Sequence, residues 1–218
     1  MLTNKRRLRR NAAPVALLSA GMAYWFGLRP WHIRWGATND EVARPLPGDE
    51  LVPRPRNWST RAITIAAPAA AVWPWLMQIG QGRGGLYSYD WLENLAGCDI
   101  HSTNRIIPEF QYLEVGDVIR LGPEGYPAYP VAAVELGCAL VLGGDDPELG
   151  PHSWAFVLEP IDDRNTRLIV RSRGDYPPSP ANFVIWRILT EPLHFVMERK
   201  MLLGIKQRAE AAAMRLVS

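Results

Sequence analysis

The chain has 218 residues, 48% of them hydrophobic, with 9 tryptophans. That excludes a disordered chain and suffices for one domain of ordinary size plus an extension. Formal net charge is only +2, and Lys5, Arg6, Arg7, Arg9 and Arg10 place five positive charges in the first ten residues; the rest carries 19 basic against 22 acidic residues, so no nucleic-acid face is expected.

The basic tail leads into NAAPVALLSAGMAYWFGL, uncharged from Asn11 to Leu28. At helical rise this run spans about 27 Å, the depth of a thin hydrocarbon core. Tyr24, Trp25, Phe26, Trp31 and Trp35 gather at its far end, where interfacial aromatics sit. We read it first as a single-pass anchor that makes the protein membrane-associated, with the N-terminus inside. Two alternatives stay open: a cleaved signal peptide, and a first helix packed on its own domain, which Pro14 and Ser19 favour. The chain then divides into residues 1–34, tail and hydrophobic segment; residues 35–58, a linker or strapped arm with Pro45, Pro47, Pro53 and Pro55; and residues 59–218, the globular domain.

The domain opens with a strand at Thr60–Ala66, where Ile63 and Ile65 stand two apart ahead of Pro68. A helix follows at Ala69–Ile79, bent at Pro74. GQGRGG, Gly80 to Gly85, then fits the G-x-G-x-x-G fingerprint of a dinucleotide-binding turn. That turn needs a strand feeding the glycines, and the residues ahead of them, APAAAVWPWLMQI, are helical in character. No nucleotide is expected. SYDWLENLAG reads as a second helix, with Ser88 as N-cap, Asp90 in the first turn and Gly97 as stop.

The period then changes to two. VGDVIRL, AYPVAAVEL and CALVLGG read as strands separated by glycine turns. HSWAFVLEP places Trp154, Phe156 and Leu158 on one face, and the short DDRN turn leads into TRLIVRSR. There Leu168 and Val170 oppose Arg167, Ile169, Arg171 and Arg173, and we assign Arg171 and Arg173 to a solvated outer face. SPANFVIWRILT starts a helix with Ser179 as N-cap and Pro180 at its first position, ending before Pro192. Thr190 caps a long closing helix whose apolar stripe is Leu193, Val196, Met197, Met201 and Ile205.

Cys98 and Cys138 show no C-x-x-C spacing; they pair if the domain is exported and otherwise are small buried apolar residues. The four histidines fall in no zinc pattern. Neither a metal nor a cofactor is expected.

The order is strand, two short helices, a run of antiparallel strands, then one long helix: an α+β chain. It resembles the START-like helix-grip superfamily (SRPBCC, or polyketide cyclase/dehydrase-like). The likeness lies in STRAITIAAPAAAVWPWLMQIGQ and, for a narrower bacterial subgroup, in WGATNDEVARPLPGDELV, GQGRGGLYSYDWLENLAGCDIHSTNRIIPEF and ERKMLLGIKQRAE. It covers Trp35 to Glu210 and implies a curved antiparallel sheet wrapped around the C-terminal helix, with an apolar cavity between them. The implied partner is a small hydrophobic molecule, lipid- or polyketide-like, held near a membrane. We expect Tyr87, Trp91, Trp154, Met197, Met201 and Gly204 to contact it. The alternative is a cyclase/dehydrase-type enzyme, for which His101, Tyr89 and Asp90 are the acid–base candidates, with Glu93 nearby.

Overall fold

The computed structural model describes residue 19 and residues 21–147 and 150–217. In chain order its helices and strands are α1 (Arg29–His32), α2 (Asn39–Ala43), β1 (Asn57–Ile65), α3 (Ala69–Met77) and α4 (Asp90–Leu95), then β2 (Val118–Arg120), β3 (Ala128–Glu135), β4 (Ala139–Asp146), β5 (Gly150–Pro160) and β6 (Thr166–Gly174), and last α5 (Pro180–Phe183) and α6 (Glu191–Val217). π-helical turns occupy Tyr24–Leu28 and Val184–Thr190. The strands form one antiparallel sheet in the order β1-β6-β5-β4-β3-β2, so first and last strands pair after a meander.

Side-chain alternation decides which face of the sheet is buried against what. Ile65, Leu140, Leu142, Trp154, Phe156, Leu158, Leu168 and Val170 face inward and form one core with Val72, Trp75 and Leu76 of α3 and Met201, Leu202, Ile205 and Ala209 of α6. The opposite parity puts Ala62, Ala139, Val157 and Ile169 on the outer face, where Leu46 covers them. Leu46 belongs to residues 36–56, which run across that face. Gly48 lies so close that a β-carbon there would stand 2.7 Å from Val141 Cγ1. Thr38 and Glu41 close a capping box on α2.

That cover corrects the assignment of Arg171 to a solvated face. Arg171 is 4% exposed. Its guanidinium donates to the Glu41 carbonyl at 2.6 Å, to Asp49 at 2.7 Å and to Thr60 Oγ1 at 3.0 Å. Arg173 likewise meets Asp49 at 2.9 Å. These arginines hold the arm down.

The expected membrane anchor is also corrected. Among the described residues no helix is long and apolar enough to cross a membrane; residues 11–18 and 20 of the apolar run lie outside the described residues. From Tyr24 onward the chain is held against its own C-terminal helices. Tyr24 Oη donates to the Arg187 carbonyl at 3.3 Å, Trp25 packs on Phe183 at 5.8 Å between ring centroids, and Arg29 pairs with Glu191 at 2.9 Å. His32 and Ile33 are buried, and the Ile33 and Trp35 carbonyls accept from Thr60 and Ala62 of β1 at 2.9 and 3.1 Å.

Three further local expectations differ. The helix does not break before Pro192: the Glu191 N–H reaches back five residues to the Trp186 carbonyl. This widened π turn runs straight into α6, where proline sits near the start and needs no N–H of its own. Ser88 does not cap α4, since its hydroxyl donates to the Met197 carbonyl at 2.9 Å. Leu193 and Val196 are 54% and 45% exposed. Met201 and Ile205 of the expected stripe are buried, and the rest of the buried face of α6 is Glu191, Glu198, Leu202 and Ala209.

Candidate functional site

The GQGRGG run follows helix α3, so the strand-to-helix turn of a dinucleotide site is not formed. Gly80, Gly82 and Gly85 have φ of 121°, 71° and 83° and close a tight loop, in which Gly80 and Gly85 exchange backbone hydrogen bonds of 3.0 Å. Only glycine takes such dihedrals freely. The loop leads the chain to Leu86 and Ser88, which wall a cavity between the sheet and α6.

That cavity has a volume of about 460 Å³ and is bounded by β1, β5, β6, the start of α6 and the 86–98 segment. Much of its wall is apolar, with Trp58, Leu86, Leu121, Tyr129, Met197 and Met201 among the lining side chains. One part of the wall is strongly polar. Arg61, 0% exposed, ion-pairs with Glu198, donates through Nε to the His32 carbonyl at 2.9 Å, and lies over the Phe195 ring. Glu198 also accepts from Trp154 Nε1 at 2.9 Å and has His194 Nε2 at 3.5 Å. Burial alone would raise the Glu198 pKa, but the charges of Arg61 and His194 and the hydrogen bonds from Arg61 and Trp154 outweigh it and hold the carboxyl below its usual range. Burial and Arg61 push His194 down against the pull of Glu198.

Glu93 of α4 lines the same cavity. It is 7% exposed, and its Oε2 has no hydrogen-bond partner. Burial and the charge of Asp90 raise its pKa to about 7. Behind the wall, His32 is buried beside Arg61 and Arg29, and its pKa falls to about 4, first through burial and then through those two charges.

The residues singled out from the sequence do not all meet here. Trp154, Met197 and Met201 line the cavity. Tyr87 is buried just behind it, edge-on to Trp75 at 5.9 Å and under the Arg208 guanidinium at 4.9 Å, while its neighbours Leu86 and Ser88 face the space. Gly204 meets the 87 segment instead: a β-carbon there would stand 2.3 Å from the Tyr87 carbonyl oxygen. Trp91 is 67% exposed, on the outward side of its short helix. The acid–base candidates disperse as well. The His101 side chain is 78% exposed and bonds Asp99 at 3.0 Å. Asp90 accepts from the Ser102 N–H at 2.7 Å and from its hydroxyl at 2.6 Å, fixing a loop. Tyr89 lies under Lys200 at 5.8 Å.

Arg61, Glu198, His194, Ser59 and His152 were not anticipated. A signal existed for three of them. Arg61 has the inward parity of Ile63 and Ile65 in STRAITI, and His194 precedes Glu198 by four residues, one helical turn. Cys98 lines the cavity, Cys138 is exposed, and both are free thiols. Among the described residues no group of three or more His, Cys, Asp or Glu gathers as a metal site.

No family model and no curated protein matches the chain. Solved structures do. The protein MLL2253 from Mesorhizobium loti is 15% identical, with a TM-score of 0.41 over 71% of this chain and 98% of that one. KanY is 11% identical, with a TM-score of 0.46 over 71% and 97%. CalC from Micromonospora echinospora, described as a self-sacrificing resistance protein, is 11% identical, with a TM-score of 0.44 over 71% and 94%. At these scores none carries a functional inference, and the chain itself stands as an α+β protein with a six-stranded antiparallel sheet and a long C-terminal helix.

Proposed function

We propose that this chain is a binding module for a small, largely apolar molecule, built on a helix-grip scaffold of the START-like kind. The observation that carries the reading is the cavity of about 460 Å³ between sheet and α6, with its apolar walls and one polar region. This is the size and lining of a small-molecule site. Native mass spectrometry of the purified protein, followed by solvent extraction, tests it. A bound apolar compound of a few hundred daltons supports the reading. A protein that carries none and takes up no neutral hydrophobic dye contradicts it.

A second reading, proton-transfer catalysis in the same cavity, is favoured by one observation: Glu93 lines the space with an unpartnered carboxyl oxygen and a pKa of about 7. It no longer involves His101, Tyr89 or Asp90. Loss of turnover in Glu93→Gln with ligand binding retained would select it over simple binding.

A further inference from the structure

We infer that the cavity takes an uncharged ligand and reads it at two ends: an acceptor oxygen (a ketone, ester or amide carbonyl) at Arg61 and Ser59, and a hydroxyl or N–H at His152. This rests on the cavity being a ligand site and adds the polarity of what it holds.

The sheet register sets the three groups out. Ser59 pairs with Ser172 and Arg61 with Val170, while across β6 Ser172 pairs with Trp154 and Gly174 with His152. Ser59 and Arg61 thus stand on adjacent inward rungs of β1, and His152 stands one rung further, two strands away. Gly174 lies between, with open space where its β-carbon would be. From strand spacing and rise, the Ser59 and His152 α-carbons are about 12 Å apart. Two or three fused rings bridge such a distance once the side chains are allowed for.

Each end has unmet hydrogen-bonding capacity. Arg61 uses Nε on the His32 carbonyl and Nη1 on Glu198, which leaves Nη2 without a partner at 0% exposure. Ser59 Oγ is also buried and unpartnered. A buried donor of this kind is costly unless an acceptor meets it. At the other end His152 Nδ1 lies 3.0 Å from the Gly150 carbonyl, which only accepts, so Nδ1 carries the proton. In the uncharged form of the ring Nε2 is then an acceptor, and it too has no partner. Tyr129, 4.5 Å away ring to ring, packs beside it.

Charge decides against an anionic ligand. Arg61 is paired with Glu198, Glu191 with Arg29, Arg173 with Asp49, and Asp175 with Arg56. Glu93 adds a carboxyl with no cation of its own. A carboxylate ligand would compete with Glu198 for one guanidinium and bring uncompensated charge into a buried space. A neutral carbonyl accepts from Nη2 without disturbing the ion pair.

Four compounds of one shape test this by equilibrium dialysis: 2-ethylnaphthalene, 2-acetylnaphthalene, 2-naphthoate and 6-hydroxy-2-acetylnaphthalene. The acetyl compound is expected to bind about tenfold or more tighter than the ethyl compound and the naphthoate, with a further gain from the hydroxyl. Ser59→Ala and Arg61→Lys, both of which keep a cation opposite Glu198, should narrow the acetyl-over-ethyl ratio. His152→Phe should remove the gain from the hydroxyl. Should Arg61→Lys fail to unfold cooperatively, the wild type and Ser59→Ala decide. Equal binding of the ethyl and acetyl compounds, or tightest binding of naphthoate, overturns the inference and leaves the cavity a ligand site. Binding of none of the four overturns both.

Discussion

Trp154 of β5 donates its indole N–H to Glu198 of α6 at 2.9 Å. The same carboxylate pairs with Arg61 of β1. Two strands and the long helix are therefore fastened at one buried charge, in the wall of the cavity. Glu198→Leu leaves Arg61 charged and fully buried without a counter-ion. We expect a loss of about 3–5 kcal/mol in urea unfolding. Arg61→Met combined with Glu198→Leu should recover most of it, because no lone charge remains. Equal loss in the single and double variants would show that packing, not charge, dominates there.

His32 ties stability to pH. Its folded pKa of about 4 lies below the ordinary 6.5 of a free histidine, so the unfolded chain binds the proton first as pH falls. The contribution of His32 is full above about pH 6.5 and is lost as pH drops toward 4, on the order of 2–3 kcal/mol. In His32→Phe that part of the acid loss should vanish. Unfolding midpoints of both proteins between pH 4 and 7 read it directly.

Glu93 works in the opposite direction. Its pKa rises from 4.5 to about 7, so between these values the folded state holds a proton that the unfolded state has released. Its contribution is greatest below pH 4.5 and disappears as pH rises through 7. Glu93→Gln should match the wild type near pH 4 and exceed it by about 1–3 kcal/mol at pH 8. A variant less stable than wild type at pH 8 would contradict the burial of this carboxyl against Asp90.

Gly204 is a point of close approach rather than cavity wall. Since a β-carbon would meet the Tyr87 carbonyl oxygen at 2.3 Å, Gly204→Ala should cost about 1–3 kcal/mol while binding per folded molecule stays intact. A well-folded Gly204→Ala protein that has lost binding would return the position to the cavity.

How much of this was legible in the sequence depended on periodicity. The strands of 118–174 and the parity of Trp154, Phe156 and Leu158 followed from alternation alone, as did the N-cap at Ser179, whose hydroxyl accepts from the Asn182 N–H at 3.0 Å. Two things stayed hidden. The arm over the outer face depends on contacts between distant segments, such as Arg171 with Glu41, although T-x-x-E at Thr38–Glu41 carried a local trace of α2. The polar region of the cavity was hidden because Arg61, Glu198 and His152 are far apart in the chain, and only the β1-β6-β5 pairing and the start of α6 bring them together. Conversely, the aromatic and acidic residues after the glycines looked chemical because they cluster in sequence. Space separates them: Asp90 braces Ser102, and Trp91 and His101 face outward.

If a ligand sits in the space between sheet and helix, filling that space displaces it. Met197 lines the cavity and is only half-buried, so Met197→Trp has room to project into it. The measurement is a fluorescence titration of wild type and Met197→Trp with the neutral dye N-phenyl-1-naphthylamine, alongside thermal unfolding of both. Wild type is expected to bind saturably, one to one, and a variant that still unfolds cooperatively at least tenfold more weakly. Undiminished binding by the folded variant would contradict a ligand in that space.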